Sequence, residues 1–552
     1  MSLKPQETHP IPEETIRVAH AAFPKGNAIM RLRDHLGPIY SDEQFTALFP
    51  PDGQPAHSPG QLALVTVLQF AEGLSDRQAA DAVRARIDWK YALALPLDDP
   101  GFDASVLCEF RGRLLAGGAE MQLFETLLLL LREQGLLKAR GKQRTDSTHV
   151  LAAIVMLNRL ECVGESLRHA LNVLATVAPD WLQERVPAAW YERYARRFEE
   201  YRLPPKKEDR YALAEQMGAD GRHLLQMLDA ETAWGWLREV PAVQTLRSVW
   251  IQQFYASESS EPVRWRVAED LPPAAQLISS PYDPDARWSK KRDTTWVGYK
   301  VHVTETCDDD LPHVVTSVET TAATTADASM TAVIQAHLAE RDLLPSEQIV
   351  DMGYMASDHL VTSHERQIAL VGPLREDSSW QTRAAEGFGV ACFTIDWETH
   401  QATCPQGKTS VMWYPTQDNQ GTPVINIRFA HTDCAACSQR AQCVSSSRSR
   451  ALTIREREAY EAAAQARQRQ TTDEFKQTYA KRAGIEGTLS QGVRLGDLRR
   501  TRYIGLSKTR LLHHLIATAL NFVRTAAWLA ETPLARTRTP PFVALGKTAA
   551  CY

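Results

Sequence analysis

Tyr479-Ala-Lys-Arg482-Ala-Gly-Ile-Glu486-Gly-Thr-Leu489 is the stretch on which the fold turns. Read as a helix, positions 479, 482 and 486 stand at i, i+3 and i+7 and share one face. A Tyr, an Arg and a Glu on one stripe do not make a core face; they suit a site that holds a cation and a phosphate together. Two further carboxylates stand in different contexts. Asp146 lies in Thr145-Asp-Ser-Thr-His-Val150, a short strand after the basic lead-in Lys138-Ala-Arg-Gly-Lys-Gln-Arg144. Asp351 ends the buried apolar strand Gln348-Ile-Val-Asp351, just before Gly353. Hard oxygen ligands of this kind suit Mg²⁺ or Mn²⁺. Two such ions about 3.5–4 Å apart form a clamp for in-line displacement at a phosphodiester. Taken singly, a strand-end Asp reads as a turn residue and a helix Glu as a solvent-facing one. Their conjunction carries the reading.

Asp146 in Thr-Asp-Ser-Thr, Asp351 in Ile-Val-Asp-Met-Gly-Tyr, and the Tyr479-x2-Arg482-x3-Glu486 block resemble bacterial insertion-sequence transposases of the DDE type. The likeness also takes in Ile39–Leu115, Trp296–Thr306, and Arg502–Trp528 with Gly505-Leu-Ser-Lys508 and Asn521. It implies an α/β fold with an RNase H-like core, a mixed five-stranded sheet flanked by helices and preceded by an all-α N-terminal domain. Asp146 would lie on the first strand, Asp351 on the fourth and Glu486 on a later helix. The implied activity is cleavage at the element's ends and strand transfer into target DNA. Asp146, Asp351 and Glu486 would hold two Mg²⁺ (or Mn²⁺) ions, while Tyr479 and Arg482 orient the scissile phosphate. The partners implied are double-stranded DNA, as terminal inverted repeats and target, and a second copy in a homodimer on DNA. Relatives often carry a Lys seven residues after the Glu; here that position is Val493, and Arg494 is the nearest cation. A non-catalytic DNA-binding descendant of such an enzyme, and a metal-dependent nuclease without strand transfer, are the rival readings. The intact Asp, Asp, Glu set favours the transposase.

The spacings of 205 and 135 residues between the three carboxylates require two large insertions. The chain thus divides into a helical DNA-binding domain (1–135), the first part of the core (136–385) with a helical insertion at about 151–271, a Cys-rich insertion (386–460), the core's return with the Glu helix and C-terminal helix (461–531), and a loosely ordered tail (532–552). In the N-terminal part, Ser58-Pro59 starts a helix, Gly73 breaks it, and Ser75 with Gln78 forms a capping box for the next. Two short helices around a glycine turn fit a helix-turn-helix or a plain helical hairpin.

Nine cysteines among 552 residues are too few and too irregular for a disulfide scaffold, which suits a reducing cytoplasm. Cys404, Cys434-Ala-Ala-Cys437 and Cys443 form a pattern expected to hold a structural Zn²⁺, with Cys392 as a spare. Cys108, Cys162, Cys307 and Cys551 read as ordinary free thiols. A hydrophobic share of 44% and a charged share of 23% mark a globular chain. The most apolar stretches, Met121–Leu131 and Leu511–Ala530, carry Glu125, His513, His514, Asn521 and Arg524, so no membrane span is expected. A net charge of −5 hides local basic clusters at Lys138–Arg144, Arg287–Arg292 and Arg494–Arg510. In the last, Arg494, Arg499, Arg500, Arg502 and Lys508 flank Glu486 and are expected to bind phosphates. A cytoplasmic, nucleoid-associated enzyme is the expectation.

Overall fold

The computed structural model describes residues 2–6, 9–230, 234–256, 261–377, 379–384, 387–419 and 421–533. Of the expected tail, residues 534–552, and with them Cys551, lie outside the described residues.

Six strands make the main sheet: β1 (Lys142–Leu151), β2 (Arg287–Lys291), β3 (Thr294–Thr306), β4 (Val315–Ala322), β5 (Glu347–Val350) and β6 (Ala369–Val371). β1 is central. It runs antiparallel to β3 and parallel to β5, and β5 runs parallel to β6. The far edge of β3 is shared end to end by β2 and β4. β3 changes partner near Gly298, whose φ of +154° no side chain would tolerate easily. A Cβ there would also meet the Val150 carbonyl.

The N-terminal helices form as their caps dictate. The helix Pro59–Glu72 starts where the Ser58 hydroxyl accepts the Gln61 N–H and ends at left-handed Gly73. The next, Asp76–Ala85, carries the Ser75–Gln78 capping box. Pro59–Glu72 is buried almost throughout, and its Leu62, Val65 and Leu68 belong to the same apolar core as Tyr299, Val301 and Val303 of β3. The C-terminal helix Leu506–Leu529 joins that core. Its polar residues are put to use inside: Asn521 pairs with both backbone groups of Val315, and His513 Nδ1 meets Thr320 Oγ1 at 2.7 Å. Among the described residues no helix is long and apolar enough to cross a membrane.

The insertion after β1 has its own core, built on the helices Arg159–Val177, Lys207–Asp229 and Pro241–Gln253. Regular helix ends at Gln253 rather than near 271. Pro262, Pro272 and Pro273 interrupt the segment beyond it, which among its described residues keeps a short 3₁₀ turn at Ala268–Asp270. The Cys-rich insertion contains the pair β7 (Thr394–Asp396) and β8 (Gln401–Thr403). It also contains a three-stranded sheet of β9 (Ser410–Gln417), β10 (Pro423–Phe429) and β11 (Ala451–Ile454). β11 follows from its alternation. Leu452 and Ile454 alternate inward and pair with Ile427 and Ile425, and the helix begins only at Arg457.

Candidate active site

Sheet register brings the first two carboxylates together. Thr145 on β1 pairs in parallel with Val350 on β5, so Asp146 and Asp351, the residue that follows the neighbouring strand, emerge side by side. Adjacent strands lie about 4.8 Å apart, and paired residues share a face. Asp146 is nearly buried, its side chain 11% exposed. Its Oδ1 accepts the Ser147 N–H at 2.7 Å and its Oδ2 lies 3.3 Å from Arg482 Nη2. Burial pushes the Asp146 carboxyl above the usual range; the Ser147 N–H and Arg482 resist, and the neighbouring Asp351 adds to the rise. Asp351 uses its Oδ1 to cap a 3₁₀ turn through the Gly353 N–H at 2.7 Å.

The third carboxylate comes from the return segment, whose local structure differs from the single helix expected. One helix spans Asp473–Ala480, Lys481–Ala483 is a 3₁₀ turn, and a second helix spans Gly484–Gly496. The tightening has a visible cause: Arg144 Nη1 donates to the Lys481 carbonyl at 2.6 Å and its guanidinium fills the space a Cβ on Gly484 would need. Arg482 nonetheless reaches both sides, touching Asp146 and lying 3.4 Å from Glu486 Oε1. Glu486 is 70% exposed. Tyr479, stacked on Phe475 with ring centroids 5.6 Å apart, is half-buried, which raises its phenol. Asp146, Asp351, Tyr479 and Arg482 therefore act on one another electrostatically, and Glu486 joins them through Arg482. The guanidinium of Arg482 occupies the gap between two of the carboxylates. Among the described residues no three His, Cys, Asp or Glu side chains are grouped to hold a metal ion as they stand. The donor chemistry is nevertheless that of a hard cation.

Arg494, Arg499, Arg500, Arg502 and Lys508 are all exposed, and none forms a salt bridge among the described residues. Arg499 Nε donates to Thr148 Oγ1 at 2.8 Å, two residues along β1 from Asp146, and Arg502 lies over Phe70 of the N-terminal helices. The Lys138–Arg144 cluster behaves otherwise. Lys138 pairs with Asp308 and Asp310, Lys142 with Glu347 and Arg144 with Glu305. Arg140 donates to the carbonyls of Arg366 and Gln367. Its charge is spent holding β1 in place. Gln78 spends its side-chain carbonyl on the capping box, leaving Arg77 as the exposed cation there.

Two groups beside the site went unread in the sequence. Asp327 opens the helix Asp327–Glu340 and looks there like an ordinary first-turn acid. Its Oδ1 in fact accepts from Ser147 Oγ at 3.1 Å and Lys300 Nζ at 3.0 Å. Burial raises its carboxyl, but Lys300 and His302 outweigh that and leave it below the usual range. Glu305 is fully buried between Arg144 and Arg524. Its signal was a carboxylate at an inward position of the alternation Val301, Val303, Glu305.

The four cysteines expected to bind zinc, Cys404, Cys434, Cys437 and Cys443, line a single cavity in the Cys-rich insertion, whereas Cys392 does not.

Residues 403–526 match the family model described as Transposase DDE domain, and residues 17–113 match Transposase domain (DUF772). The first match contains Tyr479, Arg482, Glu486 and the four cysteines; Asp146 and Asp351 fall between the two matched segments. Comparison with curated proteins and with solved structures gives no match. Together the two family matches support an insertion-sequence transposase of the DDE type.

Proposed function

We propose that this chain cuts DNA at the ends of its own insertion sequence and joins the freed ends to target DNA. The observation that carries the reading is the placement of Asp146 and Asp351 one residue beyond the parallel Thr145–Val350 pair, with Arg482 touching both Asp146 and Glu486 from the return segment. Leaving β2 aside, the strands lie in the order β4-β3-β1-β5-β6, with antiparallel pairing up to β1 and parallel pairing beyond. That order supports an RNase H-like core, with Asp146 on its first strand and Asp351 at the end of its fourth.

Asp146, Asp351 and Glu486 would hold Mg²⁺ (or Mn²⁺), two ions in all. Such ions supply charge neutralisation at a phosphodiester and a nucleophilic water at neutral pH. The protein's own groups do the rest. Arg482, released from Asp146 and Glu486, points its planar donor fork at the scissile phosphate. Tyr479, fixed by its stack on Phe475, bounds the position of that phosphate. Arg494, Arg499, Arg500, Arg502 and Lys508 grip the duplex backbone beside it, where contacts position DNA without reading it. Two chains, one on each terminal inverted repeat, form the working assembly at the nucleoid.

The test is cleavage of duplexes carrying the boundaries of the element, in Mg²⁺, by wild type, Asp146→Asn, Asp351→Asn and Glu486→Gln. Each substitution removes a charge with little change in shape. Cleavage should collapse in all three while duplex binding survives. Near wild-type cutting by any one of them sinks the assignment of that residue. Cutting without joining favours the nuclease reading.

A further inference from the structure

The Cys-rich insertion holds four thiols whose placement is not that of ordinary core cysteines. Cys162 and Cys307 are buried, as free structural thiols usually are. Cys404, Cys434, Cys437 and Cys443 are all half-buried, and all four line one cavity of about 380 Å³. They come from three separate turns. Cys404 starts the tight connection from β8 to β9, where its N–H donates to the Lys408 carbonyl at 2.8 Å and Gly407 takes a left-handed conformation. Cys434 and Cys437 flank the end of the short helix His431–Ala435, and Cys443 ends the turn Arg440–Cys443.

Backbone donors already point at two of the sulfurs. The Lys408 N–H lies 3.4 Å from Cys404 Sγ, and the Arg450 N–H lies 3.5 Å from Cys434 Sγ. A thiol is a weak acceptor, so donors of this kind gain most when the sulfur is a thiolate. We infer that Cys404, Cys434, Cys437 and Cys443 form a tetrathiolate site for one structural zinc ion. As placed, the sulfurs ring the cavity without meeting at a common point, and the ion draws them inward.

Three considerations converge on zinc and on a structural role. Four thiolates are a soft donor set that disfavours Mg²⁺ and suits Zn²⁺. With all four positions filled by protein, no coordination site is left for a substrate. The insertion's own core is also small: among the described residues its buried apolar side chains are Phe393, Ala402, Ile425, Ile427, Phe429, Leu452 and Ile454, and small modules of this kind usually need a staple.

The site would fasten more than the insertion itself. The Cys443 carbonyl accepts from Gln381 Nε2 at 3.1 Å, and the Gln442 carbonyl accepts the Phe388 N–H at 3.0 Å. The ion thereby ties the chain leaving β6 to the chain returning, through the helix Arg457–Arg469, toward Glu486.

Elemental analysis of the purified full-length chain tests the inference, with about one zinc per chain expected for a single tetrahedral site. Cys404→Ser and Cys437→Ser should each lose most of that zinc, and Cys392→Ser in the same module should keep it. Asp146→Asn should also keep its zinc, which separates this site from the proposed reaction. Because a serine variant can fail to fold, wild-type protein stripped of metal and titrated with Co²⁺ gives the second readout. The intense visible bands and sulfur-to-cobalt charge transfer of a tetrahedral thiolate complex should appear at one equivalent. Zinc retained in both serine variants, iron in place of zinc, or Co²⁺ titration without thiolate bands would overturn the inference.

Discussion

Replacing Glu305 by Gln should cost this protein about 3–5 kcal/mol and loosen the helix that carries Glu486. The carboxylate is 0% exposed. Arg144 Nε donates to one oxygen at 2.7 Å; Arg524 Nη1 at 2.7 Å and Thr488 Oγ1 at 2.6 Å donate to the other. Hydrogen bonds to a charged group contribute about 1.5–3 kcal/mol each, and no solvent screens these. Breaking a buried ion pair by removing one partner costs about 3–5 kcal/mol, because the remaining charge is left uncompensated. Here two guanidiniums would be left. Thermal unfolding, at about 2–4 °C per kcal/mol for domains of this order, should show a fall of roughly 6–20 °C. Hydrogen exchange should accelerate over residues 481–489, because Arg144 also holds the Lys481 carbonyl and Arg524 also holds Thr488. Burial pushes the Glu305 carboxyl up, but Arg524 and Arg144 pull it further down, below its ordinary 4.5. Its contribution is therefore complete above about pH 4.5 and disappears as pH falls through the lower folded value. Glu305→Gln should lack that acid limb. A variant within 1 °C of wild type, with unchanged exchange at 481–489, would refute this reasoning.

Two further outcomes are expected. Burial lowers His513 to about 3 and His514 to about 4, so each binds its proton more readily unfolded than folded. Stability should fall by about 2 kcal/mol per histidine between pH 7 and pH 5, and His514→Gln should remove one such share from the pH dependence of urea unfolding. Replacing Arg499, Arg500 and Arg502 by Ala should weaken binding to element ends and random duplexes alike, flattening the salt dependence by about one slope unit per lost phosphate contact; titrations at several salt concentrations read this, and loss of end preference alone would contradict it.

The elements most legible in the sequence were those specified locally. Ser58-Pro59, Gly73 and the Ser75–Gln78 box encode their helices in a few residues, and the structure places those caps as expected. The strand bearing Asp146 and the strand end bearing Asp351 were legible for the same reason; their adjacency depends on sheet register and was not. The Tyr479–Glu486 block departs from one helix because Arg144, more than three hundred residues earlier, competes for the Lys481 carbonyl. No local pattern encodes that. The fate of the basic clusters was equally non-local: Lys138–Arg144 finds acids across the sheet, whereas Arg494, Arg499, Arg500, Arg502 and Lys508 form no salt bridge among the described residues.

The central claim is that Asp146, Asp351 and Glu486 share metal ions although Arg482 now stands between two of them. Replacing Mg²⁺ by Fe²⁺ in the DNA-bound protein, then adding ascorbate and peroxide, generates radicals at the bound ion that cut the nearby backbone. The account predicts cuts clustered around residues 146, 351 and 486, suppressed together by excess Mg²⁺. Cuts near 146 and 351 without any near 486, or a pattern indifferent to Mg²⁺, would contradict it.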